Sequence, residues 1–379
     1  MKKPFVKWAG GKEKELNMII PNLPSNIDDF YEPFVGGGAV YFSLSNFPVT
    51  GNKYINDKSD ELIKLYKNIS SNSEEFFRYL DQLNYNWELL DNVIEKNKNT
   101  LLDMYKKYKD KNKNLQQLKD SISAFIYSHR DDFNGMLNET FNAYIEEFHK
   151  AIVKSVSRKI KRVVQLSSNV EFTDNEVLQN ILTAFKSAFY THFRKIYNDR
   201  VRNEELSEII TDKKASAIFY FLREFCYASM FRYNKKGDFN VPYGGMAYND
   251  KSFSNKINQI KDQKYQEYIK NTVISNNDFE TFMKENKPKK GDFIFLDPPY
   301  DTEFSEYAKN SFGKEDQKRL AEYLSSIESN FMLVIKSTPF IKSLYENKGF
   351  NIIEFDKKYM VNFQNRNERS VVHLMIMNY

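Results

Sequence analysis

Strand-like segments occur only near the two ends of this chain. Asp29–Val35 and Lys53–Ile55 are short apolar runs near the start, and from about Asn271 onward KNTVIS, FIFLD, FMLVIKS, NIIEFD and SVVHLMIM have strand length and composition. Between them, from about Ser59 to Lys270, helical periodicity dominates, glycine is nearly absent until Gly237, and charge is dense, as in MYKKYKDKNKNLQQLKD. The simplest topology is one α/β unit built from both chain ends, residues 1–58 and 271–379, around a mainly helical insertion, 59–270. Helix-like stretches such as Ala39–Leu44 and KEDQKRLAEYLSS separate several strands, so the sheet should be largely parallel. NIIEFD and SVVHLMIM have no helix between them and should form an antiparallel hairpin at one edge.

Composition narrows the class. At 379 residues, 41% hydrophobic and 16% aromatic, the chain can bury a real core. A net charge of +5 leans mildly toward anionic partners. The lone Cys226 excludes an intramolecular disulfide and fits a reducing compartment. His129, His149, His192 and His373 are scattered without metal-ligand spacing, so no metal is expected. MKKPFVKWAGGK has no apolar core of a signal peptide, and Arg223 and Glu224 interrupt the aromatic run FYFLREFCYASMF. A soluble, cytoplasmic protein is expected.

Short motifs carry the chemistry. EPFVGGGAV places Gly36, Gly37 and Gly38 in a strand-to-helix turn, where backbone without a Cβ can approach a ligand. Asp57 closes the next strand about 20 residues on, the spacing at which an acid holds ribose hydroxyls. Tyr41 stands where a dinucleotide fingerprint has its third glycine, which disfavours a nicotinamide enzyme and leaves open an adenosyl cofactor lacking pyrophosphate. KWAGGK, Lys7 to Lys12, suits a small carboxylate, or is simply a flexible terminus.

FIFLDPPY sets the abrupt end of a buried strand. Two prolines cannot donate to a sheet ladder, so Asp297 and Tyr300 sit just beyond the strand's carboxyl end. The Asp297 carboxylate and an outward Pro298 carbonyl would give two acceptors for one amino group bearing two hydrogens. Accepting both localises the nitrogen lone pair and aims it at an electrophile. Tyr300 adds a flat face for a base. The set suits an exocyclic nucleobase amine attacking a methyl sulfonium in line, by proximity and oriented acceptors. A strand-ending turn with a capping acid is the bland alternative.

KWAGGK, EPFVGGGAV, Asn56-Asp57, FRYNKKGDFNVPYG and DPPY, in that order, resemble the Dam-like (alpha-class, D12-type) DNA adenine-N6 methyltransferases. The resemblance covers roughly Lys2 to Leu65 and Phe219 to Tyr379. It implies a Rossmann-like methyltransferase sheet with an inserted DNA-recognition domain, and S-adenosylmethionine as methyl donor. The acceptor it implies is N6 of an adenine flipped out of double-stranded DNA. On this resemblance Trp8, Ala9, Gly10 and Lys12 lie by the cofactor's methionine end. Phe34, Gly36 and Gly38 lie under its backbone turn, Asp57 on its ribose, and Asp278 near its adenine ring. Asp297, Pro298, Pro299 and Tyr300 match the catalytic tetrapeptide, with Asp297 also among the cofactor contacts.

FCYASMFRYNKKGDFNVPYGG resembles the family's DNA-reading hairpin, here near 231–245. Tyr227 resembles the aromatic that wedges beside the flipped base, and Arg232 a base-reading arginine. Lys7, Tyr233, Asn234, Lys235, Asn240 and Pro242 complete the expected contacts there. If the preceding helix is buried throughout, Tyr227 and Cys226 are core residues instead. Ala228 and Ser229 replace the usual Asn-Gly of GATC-methylating members and Gly245 a further arginine, departures that count against GATC specificity.

The stretch 72–202 is longer than the family's usual insertion and matches no motif. In HKAIVKSVSRKIKRVV, Lys150, Lys154, Arg158, Lys161 and Arg162 share a helical face opposite Val153, Val156, Ile160 and Val163. Such a face lies along phosphates or is merely solvated.

Rival readings follow from the same residues. Cytosine-N4 enzymes need the same amine chemistry but typically carry serine for Asp297. Cytosine-C5 methylation needs a cysteine nucleophile, and Cys226 lacks the proline-cysteine context. RNA- and glutamine-modifying enzymes usually carry NPPY, and a non-catalytic DNA-binding protein need not keep Asp57, Asp297 and Tyr300. DTEFSEYAKNSF, after Tyr300, is expected to be a mobile lid. Expected partners are double-stranded DNA and a cognate restriction endonuclease, with the chain a monomer in solution.

Overall fold

The computed structural model describes residues 2–137, 140–300, 312–358 and 370–379. The expected lid lies almost wholly outside these residues. The chain divides into two compact units: Met1–Ser71 with Phe231–Gly237 and Ile260–Tyr379, and Asn72–Met230 with Asp238–Gln259. Among the described residues no helix is long and apolar enough to cross a membrane.

The first unit is an α/β fold on a seven-stranded sheet. Its strands are β1 Phe30–Glu32, β2 Lys53–Asn56, β3 Thr272–Ser275, β4 Phe293–Leu296, β5 Asn330–Lys336, β6 Asn351–Lys358 and β7 Ser370–Met377, in the order β3-β2-β1-β4-β5-β7-β6. β1 to β5 pair in parallel, and β7 is antiparallel to both neighbours. The expected hairpin of β6 and β7 forms, with β7 on its inner side, where its apolar residues continue the core. β1 is shorter than the apolar run Asp29–Val35, because Pro33 has no N–H for the ladder and the glycine turn follows at once.

The central strands β1 and β4 are buried at every position. Ile294 and Leu296 of β4, Leu333 and Ile335 of β5, and Leu374 and Ile376 of β7 pack with Phe279, Phe282, Leu320 and Ile341 of the connecting helices. Each fully buried side chain of this size contributes about 1.5–3 kcal/mol. Helix Asp60–Ser70 belongs to this unit, with Phe5, Phe42 and Tyr265 clustered around Tyr66 or one another. Its start is set by Ser59, whose side chain caps the N–H of Leu62, and by Asp60 and Glu61 in the first turn.

The second unit is helical. Its longest elements, Glu74–Lys96, Ile145–Leu166 and Asp174–Asp199, are joined by Leu115–Ser128 and Asp212–Phe225, among others. The starts are legible as caps: Ser73, Thr211, and full capping boxes at Asn114 with Gln117 and at Thr173 with Glu176. The core is strongly aromatic around Trp87. In helix Ile145–Leu166, Phe148, Ile152, Val156, Ile160 and Val163 are buried, and Lys150, Lys154, Arg158, Lys161 and Arg162 are exposed. Val153 is only half-buried.

Candidate active site

In the sheet order the direction of winding reverses between β1 and β4, and a crevice opens beyond the carboxyl ends of such strands. Two turns meet the ends of these strands. After β1, Pro33 to Gly38 lead into helix Ala39–Ser43, with Gly36 at φ +48° and Gly38 at φ +73°. A Cβ on Gly36 would lie 2.8 Å from the Trp8 ring, and one on Gly38 2.6 Å from the Tyr66 hydroxyl, so both positions require glycine.

Asp57, just past β2, holds this turn. Its Oδ2 accepts the Gly36 N–H at 3.0 Å and its Oδ1 the Ser59 N–H at 2.9 Å. Burial pushes its carboxyl up to about 6, against the opposing pull of backbone N–H groups from Ser59, Gly36 and Lys58. Asn56 ties the strand ends together, donating to the carbonyls of Pro33 and Asn277 and accepting the Asn277 N–H at 2.8 Å. Tyr41, the departure from the dinucleotide pattern, is a core residue. Its hydroxyl meets Thr272 Oγ1 at 2.8 Å, and its N–H donates to the buried Glu32 carboxylate at 2.9 Å. Burial holds Glu32 well above the usual carboxylate range, with Asp297 and Asp57 adding to the rise and Lys12 opposing it.

After β4 comes the second turn. Lys12, 2% exposed, donates from Nζ to Asp297 Oδ1, to the Gly10 carbonyl at 3.1 Å and to the Tyr300 hydroxyl at 3.3 Å. All three of its hydrogens are thereby committed. The Tyr300 hydroxyl also meets Nε2 of the buried His373 at 3.1 Å. Gln317 donates to the Pro299 carbonyl at 2.9 Å and fixes the turn from behind. Among the described residues no hydrogen bond reaches the Pro298 carbonyl.

Lys12 thus joins the KWAGGK segment to Asp297 and Tyr300, three residues the sequence placed in one site. Trp8 packs its ring 4.6 Å from Phe231, Ala9 and Gly10 are exposed, and half-buried Phe34 lies 5.7 Å from Phe279 and 5.4 Å from Phe312. Asp278 caps helix Phe279–Asn286 and pairs with Arg319, which also reaches Glu280 and Asp316. His373, Glu32 and Arg319 were missed by sequence reasoning. For His373 the available signal was one polar residue inside the apolar strand SVVHLMIM.

The expected DNA-contact residues are placed as follows. Lys7, Arg232, Asn234, Lys235, Asn240 and Pro242 are exposed, whereas Tyr233 is buried with its hydroxyl 3.5 Å from Glu61. Tyr227 is 49% exposed, and Cys226 is buried with its thiol pushed up by desolvation. Ala228 and Ser229 adopt φ +51° and +52°, the conformation that Asn-Gly would take without strain. Buried Arg223 holds this bend through the carbonyls of Ser229, at 3.1 Å, and Met230, at 2.5 Å. Relief of a left-handed alanine, about 1–2 kcal/mol, exceeds the entropic cost of glycine, about 0.5–1 kcal/mol. Ala228→Gly is therefore expected to raise stability by about 0.5–1 kcal/mol in urea denaturation.

Comparison with known proteins gives a consistent answer. The chain matches the family model for D12 class N6 adenine-specific DNA methyltransferases over residues 8–180 and 132–361. It is 26% identical to the Type II methyltransferase M.CviBI of Paramecium bursaria Chlorella virus NC1A, over the full length of both chains. It is 28% identical to the Type II methyltransferase M.MjaIII of Methanocaldococcus jannaschii, over all of this chain and 99% of that one. The DNA adenine methylase of Haemophilus influenzae is 23% identical, over 96% of this chain and 90% of its own.

Proposed function

The chain belongs to the D12 class N6 adenine-specific DNA methyltransferases, and from that premise we propose that it moves the methyl group of S-adenosylmethionine directly to N6 of an adenine flipped out of double-stranded DNA. The observation that carries this reading is the joining of Lys12, Asp297 and Tyr300 at the end of β4, beside a glycine turn anchored on Asp57.

The residues fit the cofactor. The turn at Gly36 is closed to any Cβ, Gly10 at φ +79° has open space around it, and Asp57 offers a carboxylate for ribose hydroxyls. Lys12, buried, bonds the Gly10 carbonyl of the same segment, on which Trp8 also lies. In this reading Ala9, Gly38, Phe34 and Asp278 complete the cofactor contacts. When bound, S-adenosylmethionine supplies an electrophilic methyl group.

The chain's own groups then do the following. Asp297 and the Pro298 carbonyl accept the two hydrogens of the adenine amine and orient its lone pair. The Pro299 turn, held by Gln317, fixes both acceptors. Tyr300 stacks on the flipped base, its ring set by Lys12 on one side and His373 on the other. Lys12 keeps the catalytic carboxylate in place until the amine arrives. On the DNA side, Tyr227 on its strained bend wedges into the helix. Arg232 reads a base, and Lys7, Asn234, Lys235, Asn240 and Pro242 also contact the DNA, whereas Tyr233 is buried and does not. Lys154, Arg158 and Lys161 contact phosphates. The Type II names of two relatives support a cognate restriction endonuclease as a functional partner, and the lone cysteine supports a cytoplasmic setting.

Transfer of labelled methyl groups from S-adenosylmethionine tests the substrate class. Label should enter duplex DNA and neither RNA nor protein; label in RNA or protein alone contradicts the reading. The cofactor site has its own test. Asp57 is raised, so it is charged above about pH 6 and loses charge as pH falls through that value. If ribose hydroxyls need the carboxylate, cofactor affinity falls about tenfold from pH 7 to pH 5. Asp57→Asn should bind weakly at both pH values and remove this dependence in calorimetry.

A further inference from the structure

We propose that the groove between helices Leu115–Ser128 and Ile145–Leu166 clamps one sugar–phosphate strand of duplex DNA, without regard to sequence. The inference rests on the reading of this chain as a DNA methyltransferase and gives its long insertion a task. The groove encloses about 1090 Å³, with Lys119 and Arg130 from one side and Lys150, Lys154, Arg158 and Lys161 from the other. Among the described residues only two acids, Asp120 and Glu146, line it. Glu146 stands 4.0 Å from Lys150, and Asp120 accepts from Gln116. Among the described residues Lys119, Lys154, Arg158 and Lys161 have no acidic partner.

Charge spacing selects the occupant. Lys150, Lys154, Arg158 and Lys161 lie three or four residues apart on one helix, so at about 1.5 Å per residue they form a row roughly 16 Å long. Like charges at this spacing repel, which disfavours the row unless a counter-charge of similar regularity lies along it. A nucleic-acid strand supplies a regular row of phosphates, the counter-charge that such a row calls for. Half-buried Val153 and buried Ile126 give the groove an apolar floor for deoxyribose faces. His149 adds an orphan: its Nε2 is buried without a hydrogen-bond partner and lines the same groove. Exposed Tyr127, under the Arg130 guanidinium, stands at the rim.

The test is the salt dependence of binding to a short random-sequence duplex, read by fluorescence anisotropy between about 50 and 200 mM salt without cofactor. Two full-length variants each lose four cations from the helical unit: K119A/K154A/R158A/K161A in the groove and K96A/K98A/K109A/K111A away from it. The groove variant should show a log–log slope shallower by about 3 to 4, about 0.9 for each phosphate that is no longer neutralised, and the control should match the wild type. A milder pair, Lys154→Gln with Arg158→Gln, keeps most of each side chain and should lower the slope by about 2. Circular dichroism reports whether each variant folds. Equal slopes in wild type and groove variants, or the same loss in the control, overturn the proposal. So does wild-type binding to single-stranded DNA or polyglutamate as tight as to duplex. Because no cofactor is present, failure of methyl transfer and failure of the grip are read separately.

Discussion

Asp297→Asn should lower kcat by about 10²–10³-fold while leaving the KM for DNA nearly unchanged. The asparagine keeps the side chain's shape, but its amide nitrogen turns N–H toward an amine that needs acceptors, and the charge that balances the developing positive nitrogen is gone. Asp297→Ala should be at least as inactive and also less stable. It strips Lys12, buried to 2% exposure, of one of its three partners, at a cost of about 1–3 kcal/mol. The Asn variant is therefore the cleaner measure of chemistry. Single-turnover rates on the two variants distinguish a missing acceptor from a disturbed fold; a wild-type rate in Asp297→Asn would remove Asp297 from the reaction.

Trp87→Ala should destabilise the protein by about 3–5 kcal/mol, the cost of an unfilled aromatic site. The Trp87 ring, 2% exposed, lies 4.4 Å from Phe225, 5.3 Å from Phe221 and 5.7 Å from Phe189, and Lys186 Nζ stands 5.0 Å from its centroid. Its Nε1 is buried without a partner, so Trp87→Phe discards an unmet donor and should cost less than about 1.5 kcal/mol. Urea denaturation followed by circular dichroism reads both. Trp87→Phe leaves Trp8 as the single tryptophan, whose fluorescence then reports on the sheet unit alone. Equal costs for the two substitutions would mean that the surrounding rings do not pack around Trp87 as described.

The sheet was legible because each strand is a short apolar run bounded by turn residues, and the glycine turn and DPPY announce strand ends by backbone chemistry alone. β7's place between β5 and β6 was not legible, since pairing order depends on which apolar faces meet in three dimensions. The flanks of the insertion were equally hidden: Asp60–Ser70 looks like any amphipathic helix, and it joins the sheet unit through the packing of Tyr66 against Phe5 and Phe42. In the site, Asp57 and Asp297 carry their signals in local spacing. The contacts of Lys12 with Asp297, 285 residues away, and of Tyr300 with His373, 73 residues away, exist only in the fold. The two-walled groove shows the same limit, because one basic helix face was visible in the sequence while its partner wall came from two other helices, with Lys119 on Leu115–Ser128 and Arg130 on Arg130–Gly135.

The most direct measurement is the identity of the methylated nucleoside. Mixed-sequence duplex DNA incubated with the protein and labelled S-adenosylmethionine, then digested to nucleosides and separated by mass spectrometry, should yield N6-methyladenine that is absent with Asp297→Ala. N4-methylcytosine would keep the amine mechanism and overturn the base, and equal N6-methyladenine with Asp297→Ala would contradict the role of the β4 carboxylate on which this account rests.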